Sequence, residues 1–334
     1  MSKGVQIGTG TESSTRMKAF RSVEREVSGE IMRTDIFVKI VSETRSEADL
    51  KRDLEDSFAV FRDVETRFSR FRPESELSVL NGSSEMRVSS EMAHILAESV
   101  SLHDETGGIF DPSVLECLES SGYAGSFDTA SFGVPSRVDV GRHSGFGELV
   151  IDSGSGVVRK PVDLRIDLGG IAKGYAVDKV VRMLRERGNT DFLVDAGGDI
   201  YASGADLENG YDFWGIDIAK SSGEMGRAAL LTLHDMAVAT SGTDRRRWSV
   251  EGEARHHLID PRTGNSARTD LVSVTVVGAT VSRAEVIAKT VCILGRERGL
   301  DFATNRRAAV FMTMSDGKTV YNEYMKPYIY DEKN

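Results

Sequence analysis

Apolar and polar positions first fall into register at Asp35-Ile36-Phe37-Val38-Lys39-Ile40-Val41, a β-branched and aromatic run that predicts a strand. The spacing then changes. Leu50, Leu54, Phe58, Phe61, Val64 and Phe68 recur three and four residues apart, the period of one helix face, with Ser46 as N-cap. A second helix is predicted over 90–105, with Met92, Ile95, Leu96 and Leu102 inward and Thr106-Gly107-Gly108 as its stop. Residues 120–160 read as a Gly/Ser-rich irregular region with short strands. An alternating run over 162–168 predicts a strand, and Val177, Val180, Val181 and Leu184 predict a helix ending near Gly188. Strand periods return over 192–196, 213–218, 228–233, 272–277 and 308–314. A last long helix is predicted over 282–295, and Ser282-Arg283-Ala284-Glu285 matches a capping box.

Composition narrows the class. A chain of 334 residues, 40% hydrophobic and 28% charged, is an ordinary globular protein of one large domain or two intimate ones. A net charge of −10 disfavours a nucleic-acid surface while leaving room for a local basic pocket. Cys117 and Cys292 lie far apart in apolar helical patterns, which reads as two buried thiols. Residues 1–16 are polar and carry no apolar leader core, so they read as a disordered tail, with Met17 as an alternative start and the domain proper over 17–330. No run reaches transmembrane length, and the expected location is the cytoplasm, with no membrane partner.

Chemistry concentrates in a few stretches. Asp167-Leu168-Gly169-Gly170-Ile171-Ala172-Lys173-Gly174-Tyr175-Ala176-Val177-Asp178 reads as strand, Gly turn and helix start. Free N–H groups and the positive dipole end at such a junction suit an anion, with Lys173 beside it. The same junction also serves as a plain packing turn, and its spacing fits neither a Rossmann fingerprint nor a P-loop. Arg67, Arg70 and Arg72 interleave with Phe68 and Phe71 before Pro73, which is either a flat-ligand platform or a basic helix end. Gly197-Gly198-Asp199 follows a buried strand and permits close backbone approach. Arg245-Arg246-Arg247 reads as a solvated hairpin edge. His257 to Gly264 crowds a His, an Asp and an Arg around a Pro/Gly turn, where the histidine is either a base or a structural hydrogen-bonder.

Taken in order, six segments resemble the ApbE-type FAD:protein FMN transferase family. They are Arg70-Phe71-Arg72-Pro73 with Ser75-Glu76-Leu77 and Asn81; Gly108-Ile109-Phe110-Asp111-Pro112; Asp167 to Asp178; Ala196-Gly197-Gly198-Asp199; Thr240-Ser241-Gly242; and His257 through Gly264. The resemblance implies an α+β fold, with mixed sheets flanked by helices and two interleaved subdomains around an FAD cleft. It implies cleavage of the FAD pyrophosphate and transfer of FMN to a Thr or Ser hydroxyl of an acceptor flavoprotein, with release of AMP and use of Mg²⁺. Carried over residue by residue, Met32 and Phe71 line the flavin. Ile109, Phe110, Asp111, Asp167, Lys173 and Leu258 hold FAD, Asp178 supports the nucleotide pocket, and His257 takes the hydroxyl proton.

The resemblance breaks at the metal. The family draws its ion to a carbonyl in the Gly-rich turn, here Gly170, and to an Asp and a Thr four residues apart on a late helix. This chain has Glu285 and Lys289 there. Glutamate still suits Mg²⁺, whereas a protonated lysine repels it. Three readings follow: Lys289 replaces part of the metal's role, metal binds through Glu285 with Lys289 turned aside, or the protein is not catalytic. The pair also fits a plain i,i+4 surface contact. Smaller departures are Arg33 after Met32, where the family commonly has Gly, and Thr243 after Ser-Gly, where an acid is common. The alternative functions are an FAD-binding or flavin-delivery protein and an FAD pyrophosphatase that releases free FMN.

Overall fold

The computed structural model describes residues 23–123, 145–220, 226–244, 246–250 and 252–331. The tail at 1–16, Met17, the larger part of the irregular region (124–144) and Arg245 lie outside the described residues. An eight-stranded sheet forms the centre, and its spatial order is its chain order. We number its strands β1 (Val23–Ile31), β2 (Thr34–Ser42), β3 (Asp191–Ala196), β4 (Ile200–Ser203), β5 (Met236–Gly242), β6 (Leu271–Gly278), β7 (Ala309–Met314) and β8 (Thr319–Tyr321). Every neighbouring pair is antiparallel. The α+β architecture is as expected, but this sheet is antiparallel throughout rather than mixed.

The four longest described helices are α1 (Glu47–Phe68), α2 (Ser90–Glu105), α3 (Ala172–Glu186) and α4 (Val281–Leu294); α1, α3 and α4 pack on the sheet, whereas α2 packs against the short strand Val150–Asp152. The expected N-cap of α1 holds, since Ser46 Oγ accepts from Asp49 N at 3.2 Å. Its apolar stripe is buried, with Leu50 and Phe61 fully so, and it joins Val180 and Leu184 of α3 in one core against β2 and β3. A second core lies between α4 and β5 to β7. A third covers the opposite sheet face under Trp214, Ile216 and Leu231 of the hairpin Trp214–Ala219 and Arg227–Leu233. Cys117 and Cys292 are buried free thiols, and burial pushes their pKa values up to about 11 and about 12. No described helix is long and apolar enough to cross a membrane.

Three local expectations are corrected. Residues 162–168 are a turn at Val162-Asp163 followed by irregular chain, not strand, and Val162 is exposed. The side chain of Asn81 does a strand's work there: its Nδ2 donates to Ile166 O at 2.9 Å and its Oδ1 accepts from Ile166 N at 2.8 Å. Secondly, β1 precedes the first expected strand and turns into β2 through Met32 and Arg33, both left-handed at φ 55 and 58. Thirdly, no capping box forms. Ser282 Oγ donates to Glu98 Oε1 at 2.6 Å, and the Glu285 carboxylate points to another helix.

Candidate active site

The floor of the site is the turn from Asp167 to Gly170. Asp167 N donates to Pro112 O at 2.8 Å, which ties the turn to the Ile109–Pro112 loop. Asp167 Oδ1 accepts from Gly169 N at 2.6 Å, and its Oδ2 meets Arg70 Nε at 2.7 Å. Arg70 also donates to Tyr123 O at 2.9 Å. Its guanidinium lies 4.2 Å from the Phe71 ring centre and 5.1 Å from that of Tyr123. Tyr123 in turn stacks on Trp248 at 5.5 Å. The interleaved Arg/Phe run therefore builds one wall, a cation held among aromatic faces.

At the start of α3 the anion-binding groups are already engaged. Glu285 Oε2 accepts from Gly174 N at 3.0 Å, so a carboxylate from α4 fills the helix N-terminus. Glu285 Oε1 lies 3.1 Å from Lys173 Nζ, which also pairs closely with buried Asp199. The two helices touch backbone to backbone. A Cβ built on Gly174 would stand 2.5 Å from both Cα and N of Ser282. Asp178, one helix turn on, caps α4 from outside. Its two oxygens accept from Val281 N at 2.8 Å and Ser282 N at 2.9 Å. Burial pushes the Asp178 pKa up to about 6 against the pull of those bonds.

Lys289 lies one turn beyond Glu285 and faces Gly170. A Cβ added at Gly170 would collide with its Nζ. Opposite, the strand Glu253–His256 and the loop after it carry His257, whose N donates to Arg246 O at 3.3 Å. His257 Nδ1 is buried and makes no hydrogen bond. Desolvation holds this imidazole well below its ordinary pKa, with Arg246, Lys289, His256 and Lys173 adding to the shift. Burial likewise lowers Lys289, against the pull of Glu285.

Most of these groups, among them Arg70, Asp167, Gly170, Lys173, His257 and Lys289, line one cavity of about 450 Å³, within the range of small-molecule sites. A sequence profile of the ApbE family matches residues 32–312. The chain belongs to the ApbE family. It is 27% identical over 296 residues to the FAD:protein FMN transferase of Haemophilus influenzae, covering 86% of this chain and 85% of that one. Against the FAD:protein FMN transferase of Vibrio cholerae it is 28% identical over 311 residues, covering 91% and 92%. The flavin transferase ApbE structure from Vibrio cholerae superposes with a TM-score of 0.78 at 25% identity, over 92% of this chain and 99% of that one. The ApbE protein of Thermotoga maritima gives 0.82 at 26% identity, over 92% and 100%.

Set against ApbE expectations, the cavity gathers Met32, Phe71, Ile109, Phe110, Asp111, Asp167, Gly170, Lys173, His257, Leu258, Glu285 and Lys289. Asp178 does not line it and acts from behind, through α4. Asp111 Oδ1 accepts from Ser113 N at 2.8 Å and Ser113 Oγ at 2.6 Å, which shapes the loop. Sequence reasoning missed Arg246, taken as part of a solvated edge; it lines the cavity. The only signal for it was its place between Thr240-Ser241-Gly242 and His257, two segments that belong to the site. Asp199 and Tyr123 also line the cavity, and neither was singled out for it.

The donors at Gly170, Glu285 and Lys289 do not fit a divalent ion. Both Glu285 oxygens are engaged by Lys173 and Gly174, and an ammonium stands against Gly170. Among the described residues no cluster of three His, Cys, Asp or Glu side chains suits a metal.

Proposed function

We propose that this chain transfers the FMN part of FAD to a Thr or Ser hydroxyl of an acceptor flavoprotein and releases AMP. The observation that carries the reading is the convergence of the family's segments on one cavity whose cations face inward. FAD is the substrate. The acceptor hydroxyl oxygen bonds to the FMN phosphorus, the bond from that phosphorus to the bridging oxygen breaks, and AMP leaves with that oxygen. The hydroxyl proton passes to His257, which burial and the surrounding cations keep neutral in the free protein. Phe71, Met32 and the Ile109–Phe110 segment offer the apolar walls for the isoalloxazine, and Phe71 is 38% exposed. Lys173 and Asp167 hold the floor in shape through Glu285, Asp199 and Arg70, and buried Leu258 lines the same cavity. No metal-dependent step is included, because the donor set does not suit Mg²⁺.

The test is incubation with FAD and a flavoprotein domain bearing a Thr acceptor, followed by mass analysis. A mass gain of FMN on the acceptor, with AMP released, is the expected result. Free FMN and AMP without modified acceptor would mean pyrophosphatase activity. Intact FAD throughout would mean a binding or delivery protein.

A further inference from the structure

Two cations face the cavity without a protein partner. Among the described residues, neither Lys289 Nζ nor the Arg246 guanidinium makes a hydrogen bond or an ion pair, although both line the cavity. The other lysine of the site, Lys173, is paired with Asp199 and Glu285. Glu285 sits one helix turn before Lys289 yet turns both oxygens toward α3, so it acts on the Lys289 charge from a distance and makes no ion pair with it.

Gly170 supplies a second, independent observation. Its φ is not in the left-handed region, so its backbone makes no demand for glycine. What excludes a side chain at 170 is Lys289, whose ammonium occupies the space a Cβ would need. Glycine at 170 and lysine at 289 are a matched pair that brings a positive charge onto the turn. Electrostatic reach links this charge to Arg246 and His257, since Lys289 and Arg246 both act on the imidazole.

We infer that Lys289, with Arg246 lining the same cavity, is the resident countercharge for the FAD pyrophosphate and stands in place of a divalent metal ion. The inference rests on the flavin-transfer reading and deepens it. A fixed ammonium stabilises phosphate oxygens as a cation does, and it is already in position when the substrate arrives.

The test measures FAD binding by flavin fluorescence in EDTA and in excess Mg²⁺, alongside FMN transfer. Wild type is expected to bind FAD within about twofold in the two conditions, because no ion is required. Lys289→Thr is expected to bind FAD about 10- to 100-fold more weakly in EDTA, the loss of one charge-assisted contact. Mg²⁺ should recover part of that loss in this variant, where a hydroxyl replaces the ammonium. Lys289→Arg keeps the charge and should bind in EDTA nearly as wild type does, which also guards against a folding artefact. Mn²⁺ alone, followed by electron paramagnetic resonance, should show no stoichiometric site in wild type with or without FAD. Stoichiometric Mn²⁺ binding, EDTA-sensitive FAD binding, or full FAD affinity in Lys289→Thr would each overturn the inference. Metal-free, Lys289-dependent binding without FMN transfer would uphold it and overturn the flavin-transfer reading instead.

Discussion

Gly174 is where α3 and α4 come closest, and Gly174→Ala tests whether that contact sets the site. The added Cβ would lie 2.5 Å from Ser282 Cα, 2.5 Å from Ser282 N and 2.8 Å from Val281 C. All three neighbours are backbone atoms, so no side chain can swing away. The helices must part by about 1 Å to restore ordinary contact. Overpacking of this kind costs about 1–3 kcal/mol. The same displacement stretches the bonds from Val281 N and Ser282 N to Asp178 beyond hydrogen-bonding range, and their loss adds about 1 kcal/mol each. The total is about 3–5 kcal/mol, which at a urea m value near 3 kcal/mol/M lowers the unfolding midpoint by about 1–2 M. FAD affinity should fall in parallel, because Glu285 and Lys289 ride on α4. Gly188→Ala is the control: its φ of 84 is unfavourable, but the position is open. It should cost about 1 kcal/mol and leave FAD binding unchanged. A Gly174→Ala protein that unfolds within about 0.2 M urea of wild type and binds FAD normally would refute the backbone contact and the coupling drawn from it.

Further outcomes follow from the same geometry. His257→Ala should lower kcat by about 100- to 10,000-fold while FAD affinity changes little, as expected for loss of a general base; equal loss of binding would point to a structural role. Because the His257 pKa is depressed, the acid limb of the rate profile should lie below pH 6.5, the ordinary imidazole value, and Lys289→Met should move that limb upward by removing one depressing charge. His256 and His257 are both held neutral by burial. The unfolded chain therefore takes up more protons below about pH 6.5, so their contribution to stability is present above that pH and lost as pH falls; urea midpoints across pH 5–8 measure it. Asn81→Ala should cost about 1–3 kcal/mol, since it leaves the N–H and C=O of Ile166 without their partner, and a midpoint equal to wild type would show that water replaces the amide.

Long periodic segments were legible in the sequence because their burial is one-sided. Helix α2 occupies residues 90–105 as its apolar spacing predicts, and α1 starts one residue after Ser46. What escaped was decided by tertiary partners. The 162–168 run alternates like a strand, but its hydrogen bonds go to an asparagine side chain and to Pro112 O. The hairpin tip at Met32 and Arg33 carries no Gly or Asn, the residues that announce a left-handed turn. Ser282 and Glu285 have the spacing of a capping box, yet each finds a stronger partner on another element, and Asp178 takes over the cap. Arg246 sits in a run whose flanking Arg247 is exposed, so composition alone could not separate the two. The family's segments identified most of the cavity lining but not Glu65, Tyr123, Arg246 or Ile293, and the pairing of Lys173 with Asp199 and Glu285 required the fold.

The sheet's sequential order carries a consequence for how the protein assembles. Neighbours β1 and β2, β3 and β4, and β7 and β8 are joined by short turns and can pair early. Between β2 and β3, however, the chain runs out through residues 43–190, which include α1, α2, the Asp167 turn and α3. Pairing β2 with β3 closes that whole excursion at once, at an entropic cost that only prior compaction of the excursion reduces. The α1 and α3 surfaces that meet in one core supply such compaction. The Gly-rich floor is thus expected to form with the helical insert, before the middle of the sheet zips shut. The α4 helix, which brings Glu285 and Lys289, arrives from the later half of the chain to complete it.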